Sequence, residues 1–396
     1  MSRNRSRSYN ILLRFFRMEA VGGAFLFAAA ILAIVMANWP SMSEKYEAFL
    51  HAKVGLIIDK HEFILSLSHF VNDGLMAIFF LLVGLEIKRE LLTGELSSRS
   101  RALLPAIAAL GGMAMPALIY SFFNWSDATA MRGWAIPTAT DIAFSLGVLA
   151  LLGSRAPISM KIFLTAVAVM DDLGAIAIIA VFYTEKLATM PLLLSFLVLL
   201  FMFLLNRSGV KTRPPYMLAG LLLWVCVLQS GVHATLAGVA TAFFVPLHSG
   251  EEGEPSPLVQ LEHDLHFFVT FIILPVFAFT NAGVNFSGMS PTALLHSIPL
   301  GITLGLLFGK IIGISGATWA AVRWAGCEKP RDCSWMAMFG VAAICGIGFT
   351  VSLFIGNLAF STVSGELINL VKIGVLCGSI IAGTVGFLIL RFAAYR

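Results

Sequence analysis

The sequence predicts an all-α polytopic membrane protein with two interrupted helices, and three observations carry that prediction. Hydrophobic residues make up 58% of the 396-residue chain and charged residues only 12%, too little polar surface to cover a soluble globule of this length. The apolar residues gather in runs long enough to cross a bilayer as helices. Two of those runs carry helix-breaking residues mid-way, at Pro137 and at Gly346 and Gly348, and non-helical backbone at membrane depth is tolerated only where protein or a cavity satisfies it.

Taken in order, MSRNRSRSYNILLRFFR carries five arginines and leads into Gly22 to Ala37, read as a retained first helix because many spans follow it. Residues 38–61 form a polar extracytoplasmic loop; within HAKVGLIIDKHEF, β-branched residues flanking an Asp-Lys pair fit a β-hairpin and a plain loop equally well. Further spans read as Glu62 to Leu92, Leu103 to Phe123, Ala130 to Leu152, Ile158 to Tyr183, Pro191 to Leu205, Tyr216 to Leu228, His233 to Val245, Leu258 to Ala282, Ile298 to Val322, Trp335 to Phe360 and Leu367 to Phe392, twelve in all within a single domain. With both termini on one side, nineteen lysines and arginines fall in the segments of that side against five opposite, which places the termini in the cytoplasm. The cytoplasmic loop at 246–257 is acidic and composition does not explain it. A net charge of +4 is too small to indicate a nucleic-acid partner, and five scattered cysteines argue against a disulfide framework or a metal cluster.

Charged groups inside the spans carry the functional information. Asp171 and Asp172 lie mid-way along LTAVAVMDDLGAIAIIAVFY; each opposes insertion by roughly 2.5–3.5 kcal/mol, so function is the default explanation. Neighbours on a helix point about 100° apart, which rules out a shared-proton dyad and turns one carboxylate toward an aqueous path, the other toward a partner. The fourth span holds AIPTATD, with Pro137, Thr138, Thr140 and Asp141; it reads as unwound, the alternative being a proline-kinked helix with back-bonded threonines. The eleventh holds CGIGFTVS, with Thr350 after the glycines. If spans 3–5 (about 103–183) and 10–12 (about 298–392) are repeat units, each interruption falls in the central helix of its unit, the arrangement that points to a transporter's binding site. Lys310 sits about twelve residues, roughly 18 Å, from either edge of its span, too deep to snorkel. It needs a counter-ion, and Asp141, Asp171, Asp172 and the carbonyl ends of half-helices are the candidates. Carboxylate and threonine oxygens suit a hard cation such as Na⁺ or Li⁺, and protons compete for the same carboxylates.

The runs FFLLVGLEIKREL, AIPTATDIAFSLGVLALLGSR, MDDLGAIAIIAVFYT, SGVHATLAG, LEHDLH and CGIGFTVSLFIGNLAF, in this order, resemble the NhaA-type sodium/proton antiporters over nearly the whole chain, from about Met18 to Arg391. The resemblance implies twelve spans with inverted-topology repeats, interrupted and crossing helices at spans 4 and 11, and a multi-pass protein of the inner (plasma) membrane, with lipid around it and a homodimer joined through the extracytoplasmic hairpin. It implies an electrogenic, pH-regulated exchange of Na⁺ or Li⁺ for H⁺, with no cofactor and no organic substrate. Asp171 and Asp172 match the sodium- and proton-binding pair, with Thr140 and Asp141 beside them and Lys310 on Asp171. Glu86, Glu90, Glu262, His263 and His266 match a cytoplasmic pH-sensing cluster, from whose pattern Asp264 and Phe267 depart. His233 reads as structural.

Other classes fit less well. An intramembrane aspartyl protease needs a GxGD pattern that is missing, a rhomboid-type serine protease needs a histidine after Ser315 where His296 is the last, and HEFIL at His61 lacks the second histidine of a zinc protease. A sodium-coupled solute symporter, built on the same broken-helix architecture, is the surviving alternative.

Overall fold

The apolar runs become helices because lipid offers the backbone no hydrogen-bond partner of its own. The computed structural model describes residues 21–58, 61–184, 187–248, 256–286, 291–331, 333–361, 363 and 365–393. The arginine-rich start, the Asp59-Lys60 pair, Lys186 and most of the acidic loop at 246–257 lie outside the described residues.

In chain order the helices are α1 (Val21–Asn38), α2 (Ser43–Leu50), α3 (Leu67–Leu92), α4 (Arg99–Asn124), α5 (Ile142–Ala150), α6 (Ile158–Phe182), α7 (Thr189–Arg207), α8 (Pro214–Leu228), α9 (Leu236–Phe244), α10 (Pro257–Asn281), α11 (Ser297–Trp324), α12 (Trp335–Ile344), α13 (Phe349–Phe360) and α14 (Gly365–Phe392). Among the described residues eight are long and apolar enough to cross a membrane. The number is ten if each of two bent pairs is one span: Ala130–Thr138 with α5, bent by 43°, and α12 with α13, bent by 47°. The expected spans at Tyr216 to Leu228 and His233 to Val245 correspond to helices of only 15 and 9 residues, short of the ~20 a full crossing needs. Between α2 and α3 the chain forms the hairpin left open by the sequence: β1 (Lys53–Ile58) pairs antiparallel with β2 (His61–Ser66), from Lys53 opposite Ser66 to Ile58 opposite His61.

Two compact units divide the chain, and α6 runs from one into the other. The first comprises residues up to 34, 98–175 and 284–396. Here α4 and α11 approach backbone to backbone: a Cβ on Gly111 would stand 2.3 Å from the Gly313 carbonyl oxygen, so only glycine fits. From Gly340 to Gly356, across the link between α12 and α13, every residue is buried. The second unit comprises residues 35–97 and 176–283. Its core is built on Leu85, Tyr216, Ala242, Val245, Leu258 and Leu261, with a second cluster around Met202 and Leu223. Lys88 donates to the carbonyls of Phe243 (2.7 Å) and Val245 (2.5 Å), capping α9 where its terminal carbonyls lack helical partners.

Candidate functional site

Both interruptions have local causes. In the first, Pro137 cannot donate to a helical ladder, and the chain runs extended through Ala139 (φ −83°, ψ 153°) to Asp141 (φ −88°, ψ 106°). Asp141 then starts α5 as its N-cap, accepting the Phe144 N–H at 3.0 Å. In the second, Cys345 to Gly348 leave the helix, and a Cβ on Gly346 would lie 2.2 Å from the Leu306 carbonyl oxygen, so the close approach to α11 demands glycine there.

The two unwound stretches satisfy one another. The Asp141 N–H donates to the Ile347 carbonyl at 2.7 Å, and the Thr140 hydroxyl lies 2.9 Å from the Cys345 carbonyl. Asp141 Oδ2 accepts both the N–H (3.1 Å) and the hydroxyl (2.7 Å) of Thr350, in the first turn of α13. One carboxylate therefore faces the N-termini of two half-helices, α5 and α13, where unpaired N–H groups and the macrodipole favour negative charge. A reciprocal pair frames this contact: Ser145 of α5 donates to the Ile344 carbonyl (3.2 Å), and Ser352 of α13 donates to the Ile136 carbonyl (2.7 Å).

Beside the breaks, Lys310 and Asp171 form an ion pair at 2.6 Å, both side chains 0% exposed. The ammonium has three donors and all are used: Asp171 Oδ2, the Thr138 carbonyl at 2.6 Å and Thr140 Oγ1 at 3.0 Å. Asp171 Oδ2 also sits 2.6 Å from Thr140 Oγ1, whereas Oδ1 is buried with no hydrogen-bond partner among the described residues. Asp172, one residue on and pointing to another side of α6, is 3% exposed. Immediately before Lys310, α11 widens into a π-helical stretch, Gly305–Gly309, a distortion frequent at functional sites.

Of the sequence-nominated residues, Asp141, Thr140, Asp171, Asp172 and Lys310 are thus all buried in one unit, four of them joined through Thr140 and the two breaks. Sequence reasoning offered half-helix carbonyl ends as partners for Lys310 but not which ones: the carbonyls of Thr138, Cys345 and Ile347 carry no residue-type signal.

The other nominated set lies in the second unit. Arg89 pairs with Glu90 (2.8 Å) and, through Nε, with Glu262 (2.9 Å). Glu86 lies one helical turn before Glu90 on α3, and His266 one turn after Glu262 on α10. His263 is exposed on α10, and the departing residue Asp264 pairs with Arg213 at 2.6 Å. Arg89 was read from sequence only as a topology charge; its place between acids from two helices needed the fold. Among the described residues no three His, Cys, Asp or Glu side chains converge as a metal site.

A family model described as "Na+/H+ antiporter 1" matches residues 13–390. The chain is 50% identical over 387 residues to the Na(+)/H(+) antiporter NhaA 1 of Pseudomonas putida, covering 98% of this chain and 97% of that protein. It is 51% identical over 384 residues to the Na(+)/H(+) antiporter NhaA of Vibrio campbellii (97% and 96% covered), and 50% identical over 379 residues to that of Vibrio cholerae (96% and 97%).

Proposed function

The chain belongs to the Na+/H+ antiporter 1 family, and from that premise we propose that it exchanges cytoplasmic Na⁺ or Li⁺ for external protons at Asp171 and Asp172. The observation that carries the proposal is the fully buried Asp171–Lys310 pair lying against two broken helices. Asp171 Oδ1 and the Asp172 carboxylate are the oxygens offered to the cation, hard ligands suited to a hard ion. Sodium arriving there takes the place of a proton on Asp172 and draws Asp171 away from Lys310. Left in a low-dielectric site without its counter-ion, the ammonium gives up a proton in turn. Two protons leave for one sodium bound, so each cycle moves one net charge. A negative-inside potential then drives protons inward at about 2.3 kcal/mol per charge per 100 mV. Asp141, accepting from the first turns of both half-helices, holds the breaks together while the pair beside it opens and closes.

The finer features belong to the same reading. Twelve spans, counting α8 and α9 as two short crossings, put both termini on one side, and the charge bias makes that side the cytoplasm. The reciprocal Ser145 and Ser352 bonds are what inverted repeats centred on the two breaks would produce. Glu86, Glu90 and Glu262 around Arg89, with His263 and His266 on the same helix as Glu262, serve as the pH-responsive cluster. The β1–β2 hairpin is the element through which a homodimer forms in the inner membrane.

Inverted vesicles from an antiporter-deficient strain supplied with this protein test the proposal. Adding Na⁺ should collapse an imposed pH gradient, and Asp172→Asn should remove the response. A response that needs an added organic solute would favour a symporter instead, and no response between pH 6 and 9, roughly the range where buried aspartates titrate, would sink the reading.

A further inference from the structure

A groove between α11 and α12 takes no part in the ion chemistry. It encloses about 490 Å³, and its walls include Ile312, Ser315, Gly316 and Trp319 of α11 with Trp335 and Phe339 of α12. Ile312, Gly316, Trp319 and Arg323 recur at helical spacing, so the α11 wall is one stripe that runs from apolar residues at its deep end to a guanidinium at the other.

Three features set it apart from a furrow between packed helices. Ser315 is 4% exposed, opens on the groove, and has no hydrogen-bond partner for its hydroxyl among the described residues. A Cβ on Gly316 would meet nothing within 4 Å, so that wall borders open space and not a neighbouring helix. At the outer end, Lys329 Nζ stands 5.7 Å from the centroid of the Trp335 ring, and Arg323 follows Trp319 by one turn. Neither cation forms an ion pair among the described residues. Between Trp324 and Trp335 the sequence sets Glu328 and Asp332 against Lys329 and Arg331, so with Arg323 the segment keeps a net positive charge.

We propose that this groove binds an anionic phospholipid. Its gradient from apolar wall to paired tryptophans to cations is the gradient of a lipid from chain to interface to phosphate. One acyl chain lies along Ile312, Gly316 and Phe339, and the phosphate sits at Arg323 and Lys329, as anionic headgroups do in basic pockets between membrane helices. Arg323 lies two turns from Ser315, about 12 Å along α11. Helix side chains lean toward the N-terminus, so the guanidinium tilts back over Trp319 and brings a bound phosphate toward the level of Ser315. An ester carbonyl one step deeper than the phosphate then accepts from the Ser315 hydroxyl. A zwitterionic lipid supplies the chain but carries its own cation beside Arg323 and Lys329, which sets the charge preference.

Native mass spectrometry of the delipidated full chain in detergent, titrated with phosphatidylglycerol and phosphatidylcholine of identical chains, tests this without reference to transport. One phosphatidylglycerol should be retained at least tenfold more tightly than phosphatidylcholine. The double variant Arg323→Gln/Lys329→Gln should lose that preference. Gly316→Leu, which fills the groove and leaves both cations in place, should lose the tight lipid too. Equal retention of the two lipids, or a preference that survives Gly316→Leu in protein that elutes as folded, overturns the proposal.

Discussion

Ion pairs at three sites form a series from core to surface, and their differences show what burial does to one interaction. Lys310 and Asp171 are 0% exposed. Arg89 is 35% exposed against 19% for Glu90 and 16% for Glu262, and Arg213 is 35% exposed against 61% for Asp264. All have N···O distances of 2.6–2.9 Å, so distance does not separate them; solvent does. In the core each charge depends on its partner and on neighbouring polar atoms, so a cation that intrudes on one must unsettle the other. At the half-buried cluster solvent shares the load, and protonation can shift the balance among several acids without collapse. At the surface, water and salt screen the pair.

The largest expected effect is at the core. Lys310→Ala strands the Asp171 carboxylate and should destabilise the protein by about 3–5 kcal/mol, the cost of leaving one partner of a buried pair uncompensated. Adding Asp171→Asn should restore much of that loss, because no lone charge then remains. Thermal unfolding in detergent measures both, and a double variant no more stable than the single would break the comparison. Solid-supported-membrane recordings on Lys310→Ala should also show reduced charge displacement on a Na⁺ jump.

The intermediate effect is at Arg89. Arg89→Gln removes the cation paired with the acids Glu90 and Glu262, so the activity profile should move toward alkaline pH while the maximal rate changes less than about threefold. The sign follows from Coulomb's law alone. A pH series of Na⁺-evoked gradient collapse reads it, and an unmoved profile would argue that this cluster is structural. The smallest effect is at Arg213→Ala or Asp264→Ala. Each should cost less than about 1 kcal/mol and leave the pH profile in place, as exposed pairs do; a shift as large as that of Arg89→Gln would place Asp264 inside the cluster.

Composition and hydropathy alone determined that this is a helical membrane protein, where two helices break, and which charges are stranded at depth. Those properties are local: proline lacks its donor wherever it stands, and an aspartate in an apolar run opposes insertion before any partner is counted. Reading the residues left three carboxylates open as partners for Lys310, and the resemblance to antiporters pointed to Asp171. Tertiary structure decided it, by closing a sequence separation of 139 residues so that Asp171, Thr140 and the Thr138 carbonyl take the three ammonium protons. Tertiary structure likewise turned Asp141 to the N-terminus of α13, 209 residues away, made a hairpin of an ambiguous loop, and set Arg89 between acids of α3 and α10. Partner choice depends on which helix faces meet, and that is fixed only when close-packed positions such as Gly111 and Gly313 bring two backbones together.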